Sequence, residues 1–134
     1  MANLTITAAD VHAAGLYEQM PSGPAAEAIN AGQPVRLDTS TGYYTLANGS
    51  STAEARVIGI ALVTARANEP VSVLRKGLLA VGSALSAKAY DAAVYLSDTD
   101  GTLADSAGTV STVVGRVWPA HGNTTADKLI YIDL

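Results

Sequence analysis

The chain has 134 residues and a mass of 13.6 kDa, the length of one ordinary domain. Hydrophobic residues make up 49% and charged residues 15%, the reverse of the balance that keeps a chain disordered. The net charge of −4, with the basic residues scattered and only Arg75 and Lys76 adjacent, excludes the clustered cationic patch that nucleic acid requires.

Other absences narrow the chemistry further. There is no cysteine, so no disulfide, zinc–thiolate centre or thiol nucleophile can form. The opening Met-Ala-Asn-Leu-Thr-Ile-Thr has neither the basic nor the long apolar part of a signal peptide. No apolar run reaches the ~18–20 residues that span a bilayer, and no membrane partner is expected. The apolar content is Ala, Val, Leu and Ile with no Phe and a single Trp, Trp118. Such side chains suit closely packed sheets. A surface this poor in charge points to a chain that works docked to other subunits, because interface cores are depleted in charged residues.

In chain order, residues 1–30 read as an N-terminal arm and 31–134 as one β domain. Leu4, Ile6 and Ala8 alternate with polar neighbours, a strand pattern. Ala9 to Gln19 is compatible with a short helix that Gly15 weakens, and Ala25 to Ala31 with one further helical turn. Between them Met20-Pro-Ser-Gly-Pro24 stops any regular element. From Gly32 onward, Gly and Pro punctuate short runs of Val, Ile, Leu and Tyr: Pro34–Asp38, Tyr43–Ala47, Arg56–Val63, Pro70–Leu74, Leu78–Val81, Ala92–Ser97, Thr112–Trp118 and Lys128–Asp133. Frequent turns between short strands indicate an all-β sandwich or barrel. Ser83–Asp91 is a weak candidate for one helical turn.

An internal repeat organises the body into approximately 31–82 and 90–134. Val35, Leu37 and Gly42 match Val94, Leu96 and Gly101 at an offset of 59 (94−35, 96−37, 101−42). Val57-Ile-Gly-Ile-Ala61 matches Val113-Val-Gly-Arg-Val117 at an offset of 56 (113−57), and Pro70–Leu74 resembles Lys128–Ile132. Two copies predict a pseudo-symmetric barrel or sandwich whose halves cover each other, since a solenoid needs more and shorter repeats. Gly59 and Gly115, both inside strands, predict a bulge or a close approach of backbones.

No catalytic constellation is legible. His12 and His121 are the only histidines. They form no metal-binding spacing and read as surface residues. There is no nucleophile elbow and no phosphate-binding glycine loop. Asp98, Asp100 and Asp105 lie in a turn-rich stretch where Asp serves local hydrogen bonds. Asp98-Thr-Asp-Gly101 starts like a calcium loop but lacks the remaining ligands and the closing Glu; a pair of hairpin turns accounts for it and for its repeat partner Asp38–Gly42. The chain is therefore read as a non-enzyme with no cofactor and no metal. Tyr43 and Tyr44 point to opposite faces of a strand and make no stacking platform. Together with Asn48 they are the nearest approach to a carbohydrate- or ligand-binding module, the alternative reading. Trp118 is expected in the core or at a subunit interface.

Several stretches resemble the capsid cement, or head decoration, proteins of tailed bacteriophages: Ala2–Asp10, Ala28-Ile-Asn-Ala-Gly-Gln-Pro-Val-Arg-Leu-Asp38, Tyr43-Tyr44, Val57–Ala61 and Pro70–Val73. The resemblance runs through most of residues 1–82. It implies a compact, β-tulip-like fold and a structural virion protein on the capsid exterior, made in the host cytoplasm. It also implies that the protein braces major capsid protein subunits as a small oligomer, a trimer being favoured, and it carries over no catalytic residue. An arm with a strand pattern suits addition to an exposed sheet edge. Leu4, Ile6, Val11 and Tyr17 are the residues expected to dock on the partner.

Overall fold

The structure, a computed structural model, describes residues 2–120 and 128–134, with the side chains of Leu16 and Tyr17 left undescribed. Its described strands are β1 (Val11–Pro24), β2 (Pro34–Leu37), β3 (Tyr44–Leu46), β4 (Gly59–Ala61), β5 (Pro70–Val81), β6 (Ala93–Leu96), β7 (Leu103–Ala104), β8 (Val113–Trp118) and β9 (Leu129–Asp133). One 3-10 turn, Ala8–Asp10, precedes β1. The strands form one antiparallel sheet, ordered β3-β2-β4-β5-β9-β8-β6-β7, which curls into a half-barrel.

β5 organises the sheet. On one edge it pairs first with β4 (Leu74 with Ile60) and further along with β9 (Leu79 with Ile130). Its other edge is taken along its length by β1, from Val11 opposite Val81 to Pro24 opposite Pro70. Two lobes thus share one strand: β2, β3 and β4 on its first half, and β6 to β9 on its second. The sequence splits this strand at Arg75–Gly77, but pairing carries it through, since Lys76 faces Glu18 and Asp133, and Gly77 faces Ile132.

Some of the matched residues make comparable pairings. Val35 pairs with Gly59 and Val94 with Gly115; Leu37 pairs with Tyr44 and Leu96 with Leu103. The hairpin turns also agree. The Asp38 carboxylate accepts the Ser40 N–H at 2.8 Å, and the Ser97 hydroxyl accepts the Thr99 N–H at 3.0 Å. Each turn closes on a glycine at positive φ, Gly42 at 73° and Gly101 at 63°, where a side chain would be strained. The third sequence match moves by one residue: Ile60 pairs with Leu74 and Arg116 with Tyr131, so Leu74 corresponds to Tyr131 and not to Ile132.

The N-terminal residues are built into this sheet. Residues compatible with a helix from Ala9 to Gln19 instead lie mostly in β1, because pairing with β5 outweighs a weak local propensity. Bulges hide the alternation: Ala14, Leu16, Tyr17, Pro21 and Ser22 have no register partner on β5. Before β1, the Leu4 N–H reaches the Leu103 carbonyl at 2.9 Å, and Asn3 bridges Ala104 on the outer edge of β7. After it, the Ala26 N–H reaches the Tyr44 carbonyl at 2.7 Å and Ala25 bridges Tyr44 on the outer edge of β3. The first thirty residues therefore run from one end of the sheet to the other and close both ends.

Two apolar clusters fill the fold. The larger joins the lobes, with Ile60 and Leu74 against Val94, Leu96, Val114, Ile130 and Ile132, closed by Leu4, Val11 and Leu85. The smaller lies under the first lobe around Ile29, Val35, Tyr44, Val71 and Val73. Ser83–Asp91 forms successive turns, with the Lys88 N–H on the Leu85 carbonyl at 2.9 Å, and it inserts Leu85 into the larger cluster.

Candidate functional site

The aspartates that invite a catalytic or metal reading are each engaged in hydrogen bonds within the fold. Asp98 accepts the backbone N–H and the hydroxyl of Thr109, both at 2.8 Å. Asp100 accepts the Asn48 amide at 3.0 Å. Asp105 accepts the Lys88 ammonium at 2.8 Å and the Ala2 N–H at 2.9 Å. The hydrogen bond from Lys88, with the one from Ala2, holds the Asp105 carboxyl down to about 2. Among the described residues no group of three His, Asp or Glu side chains is placed to hold a metal ion. His12 is exposed, and His121 lies outside the described residues.

The cluster that suggested a ligand module is closed. Tyr44 is buried and its hydroxyl donates to the Pro21 carbonyl at 2.6 Å; burial raises its pKa. Asn48 is buried and bonded to Asp100, and Tyr43 is half-buried. No open aromatic platform results.

Of the N-terminal candidates, the structure buries Leu4 and Val11 in the chain's own core. Ile6 is half-buried; it and Val11 pack against Gly32, where a Cβ would come within 2.8 Å of Ile6 and 3.0 Å of Val11. The backbone of Tyr17 lies in a bulge of β1, and its side chain is outside the described residues. Leu4 and Val11 therefore do not lie on the exposed surface of the single chain.

Trp118 does belong to a surface group. It is half-buried, meets Tyr131 edge to face at 5.2 Å, and has the Arg116 guanidinium 5.9 Å from its ring. Arg116 also pairs with Asp91 at 2.7 Å. Register extends this group across the sheet, since Tyr131 faces Arg116 on one side and Leu78 on the other. Sequence reasoning singled out Trp118 but not Tyr131, Leu78 or Arg116. Only the strand register, which places residues 78, 116 and 131 in one row, assembles the patch. An amphipathic aromatic edge beside an arginine is the composition found at the centres of protein contacts.

The curled all-β body holds Asp98, Asp100 and Asp105 in hydrogen bonds and carries a partly exposed patch of Trp118, Tyr131 and Arg116. Residues 24–132 match the family model of the phage cement proteins, so the chain belongs to the phage cement protein family. Its role is structural and associated with the phage capsid, as a component of the virion. The match starts at the last residue of β1 and leaves the N-terminal segment outside it. No curated protein sequence matches the chain. Among the described residues no helix is long and apolar enough to cross a membrane.

Proposed function

We propose that the protein decorates the exterior of a tailed-phage capsid, where it binds major capsid protein subunits and stabilises the shell as a small oligomer, a trimer being favoured. It is made in the host cytoplasm and acts on the virion. The observation that carries this reading is the family match over residues 24–132. The Trp118–Tyr131–Arg116 patch supports a protein partner over a small ligand, and we assign Trp118 to a subunit contact. Leu4 and Val11 act from inside, holding the N-terminal segment to the body, while Ile6 and Tyr17 are left to contribute to the contact itself. Many copies on one shell make a modest contact sufficient through avidity.

The test is co-sedimentation with undecorated, expanded phage heads, alongside solution mass by light scattering. Saturable binding at a fixed ratio to shell subunits is expected. Trp118→Ala should lower the occupancy at limiting protein several-fold while leaving the melting temperature of the isolated chain within a few degrees. Absence of saturable binding by the unaltered protein would overturn the reading.

A further inference from the structure

We propose that the outer edge of β7 is a strand-acceptor site, filled in the single chain by its own residues 2–4 and, in the oligomer, by the same residues of a second copy. The proposal rests on the oligomeric reading above and specifies how the copies are joined.

The acceptor has three parts. The Leu103 carbonyl takes the Leu4 N–H at 2.9 Å, and the Asp105 N–H donates to the Ala2 carbonyl at 3.0 Å. The Asp105 carboxylate takes the Ala2 N–H, and the Ser97 hydroxyl donates to the Asn3 side chain at 2.7 Å. Between these polar contacts Leu4 enters the larger core cluster. This is strand addition to a sheet edge with a side-chain pocket supplying specificity.

Half-open hollows flank the seat. A cavity of about 200 Å³ bordered by Leu4, Leu85, Val94 and Val117 lies on one side of it. Another of about 170 Å³ bordered by Leu4, Ile6, Gln33 and Thr102 lies on the other. The connection is slack as well. Between Leu4 and β1 the backbone hydrogen bonds stay within the 3-10 turn and its cap, from the Asp10 N–H to the Thr7 carbonyl at 2.9 Å and from the Val11 N–H to the Ala8 carbonyl. Extended, those six residues would span about 20 Å. The other end of the sheet differs. There β3 is closed by residues 25–27, which continue into Ile29, itself locked to Ala65 by reciprocal hydrogen bonds of 2.8 Å. That segment is anchored on both sides and cannot leave.

A second copy is the fitting occupant, because every copy carries both the plug and the socket. Exchange of an identical element gains the same contacts in the oligomer as in the single chain, which makes it a low-cost route to assembly.

The chain has no cysteine, so a cross-link reports without background. Asn3 and Ala104 oppose each other in an antiparallel bridge, a spacing compatible with a disulfide. The Asn3→Cys/Ala104→Cys variant is sized by light scattering, oxidised, and run on a denaturing gel without reductant. Disulfide-linked multimers closing at the oligomer number are expected. In a second measurement the single variants Asn3→Cys and Ala104→Cys are mixed and oxidised, and the mixed disulfide is expected to exceed either homodimer. An oligomer whose bonds all lie within single chains overturns the exchange and leaves the oligomeric reading standing. A chain that remains monomeric at every concentration overturns both.

Discussion

Gly115→Ala tests whether the curl of the sheet depends on two close backbone approaches. A Cβ at residue 115 would lie 2.2 Å from the Tyr131 carbonyl oxygen and 3.0 Å from the Ile130 side chain. An ordinary carbon–oxygen contact is about 3.3 Å, so β8 and β9 would have to part locally by roughly 1 Å. The neighbouring atom is backbone, which no rotamer change can move aside. These strands share four register pairs, Gly115 to Trp118 with Ile132 to Leu129. Weakening two ladder bonds costs about 1 kcal/mol each, and overpacking adds about 1–3 kcal/mol. The sum is about 3–5 kcal/mol, or roughly 10–20 °C in melting temperature for a chain of this size. Gly59→Ala should behave alike, because its Cβ would meet the Leu74 carbonyl oxygen at 2.5 Å and Val73 at 2.4 Å. Val113→Ala, on the same strand but 48% exposed, should cost less than about 1 kcal/mol. Thermal unfolding followed by circular dichroism reads all three. A Gly115→Ala protein that melts within about 2 °C of the parent would refute the reasoning.

The remaining predictions concern the two lysines of the second lobe. Asp105 has its pKa lowered from 3.8 to about 2, so it favours the folded state above pH 4 and that contribution disappears as pH falls from about 4 to about 2. Lys88→Met removes the main cause, and the loss of melting temperature between pH 6 and pH 3 should be smaller in the variant; an equal loss would disprove the assignment. Lys128 is buried, with its ammonium on the Lys88 and Ser86 carbonyls and 4.6 Å from the Tyr90 ring. Lys128→Met leaves those carbonyls unpaired, at a cost of about 1–3 kcal/mol. Amide exchange across residues 83–91 should then accelerate more than that of β5, and uniform protection in the two proteins would count against it.

How much was legible in the sequence depended on how local the determining physics was. The two hairpins could be read because each is set within ten residues: an apolar run, an Asp or Ser that caps the turn, and a glycine at positive φ. Gly59 and Gly115 could be read as close approaches because their placement recurs, although their contacts on β5 and β9 are distant in sequence. β1 could not be read. Its alternation is broken by five bulged residues, its alanines suit a helix equally well, and what makes it a strand is β5, some sixty residues later. β7, with two residues, is too short to leave a pattern. The surface patch was half legible, since a lone tryptophan draws notice but its partners are defined only by register. The burial of Leu4 and Val11 follows from the N-terminal segment meeting β7 and β5, which the sequence of residues 1–30 does not encode by itself.

The closing of both sheet ends by the first thirty residues has a consequence for how the molecule comes into being. Those residues leave the ribosome before the strands they close, yet Ala2 finds its partner 103 positions later, at Asp105. Until then Leu4 and Val11 have no core to enter, and the edges of β3 and β7 do not yet exist. Contacts of such long sequence separation form slowly, so the beginning of the chain is among the last parts to settle. During synthesis the protein carries its own fastening loose.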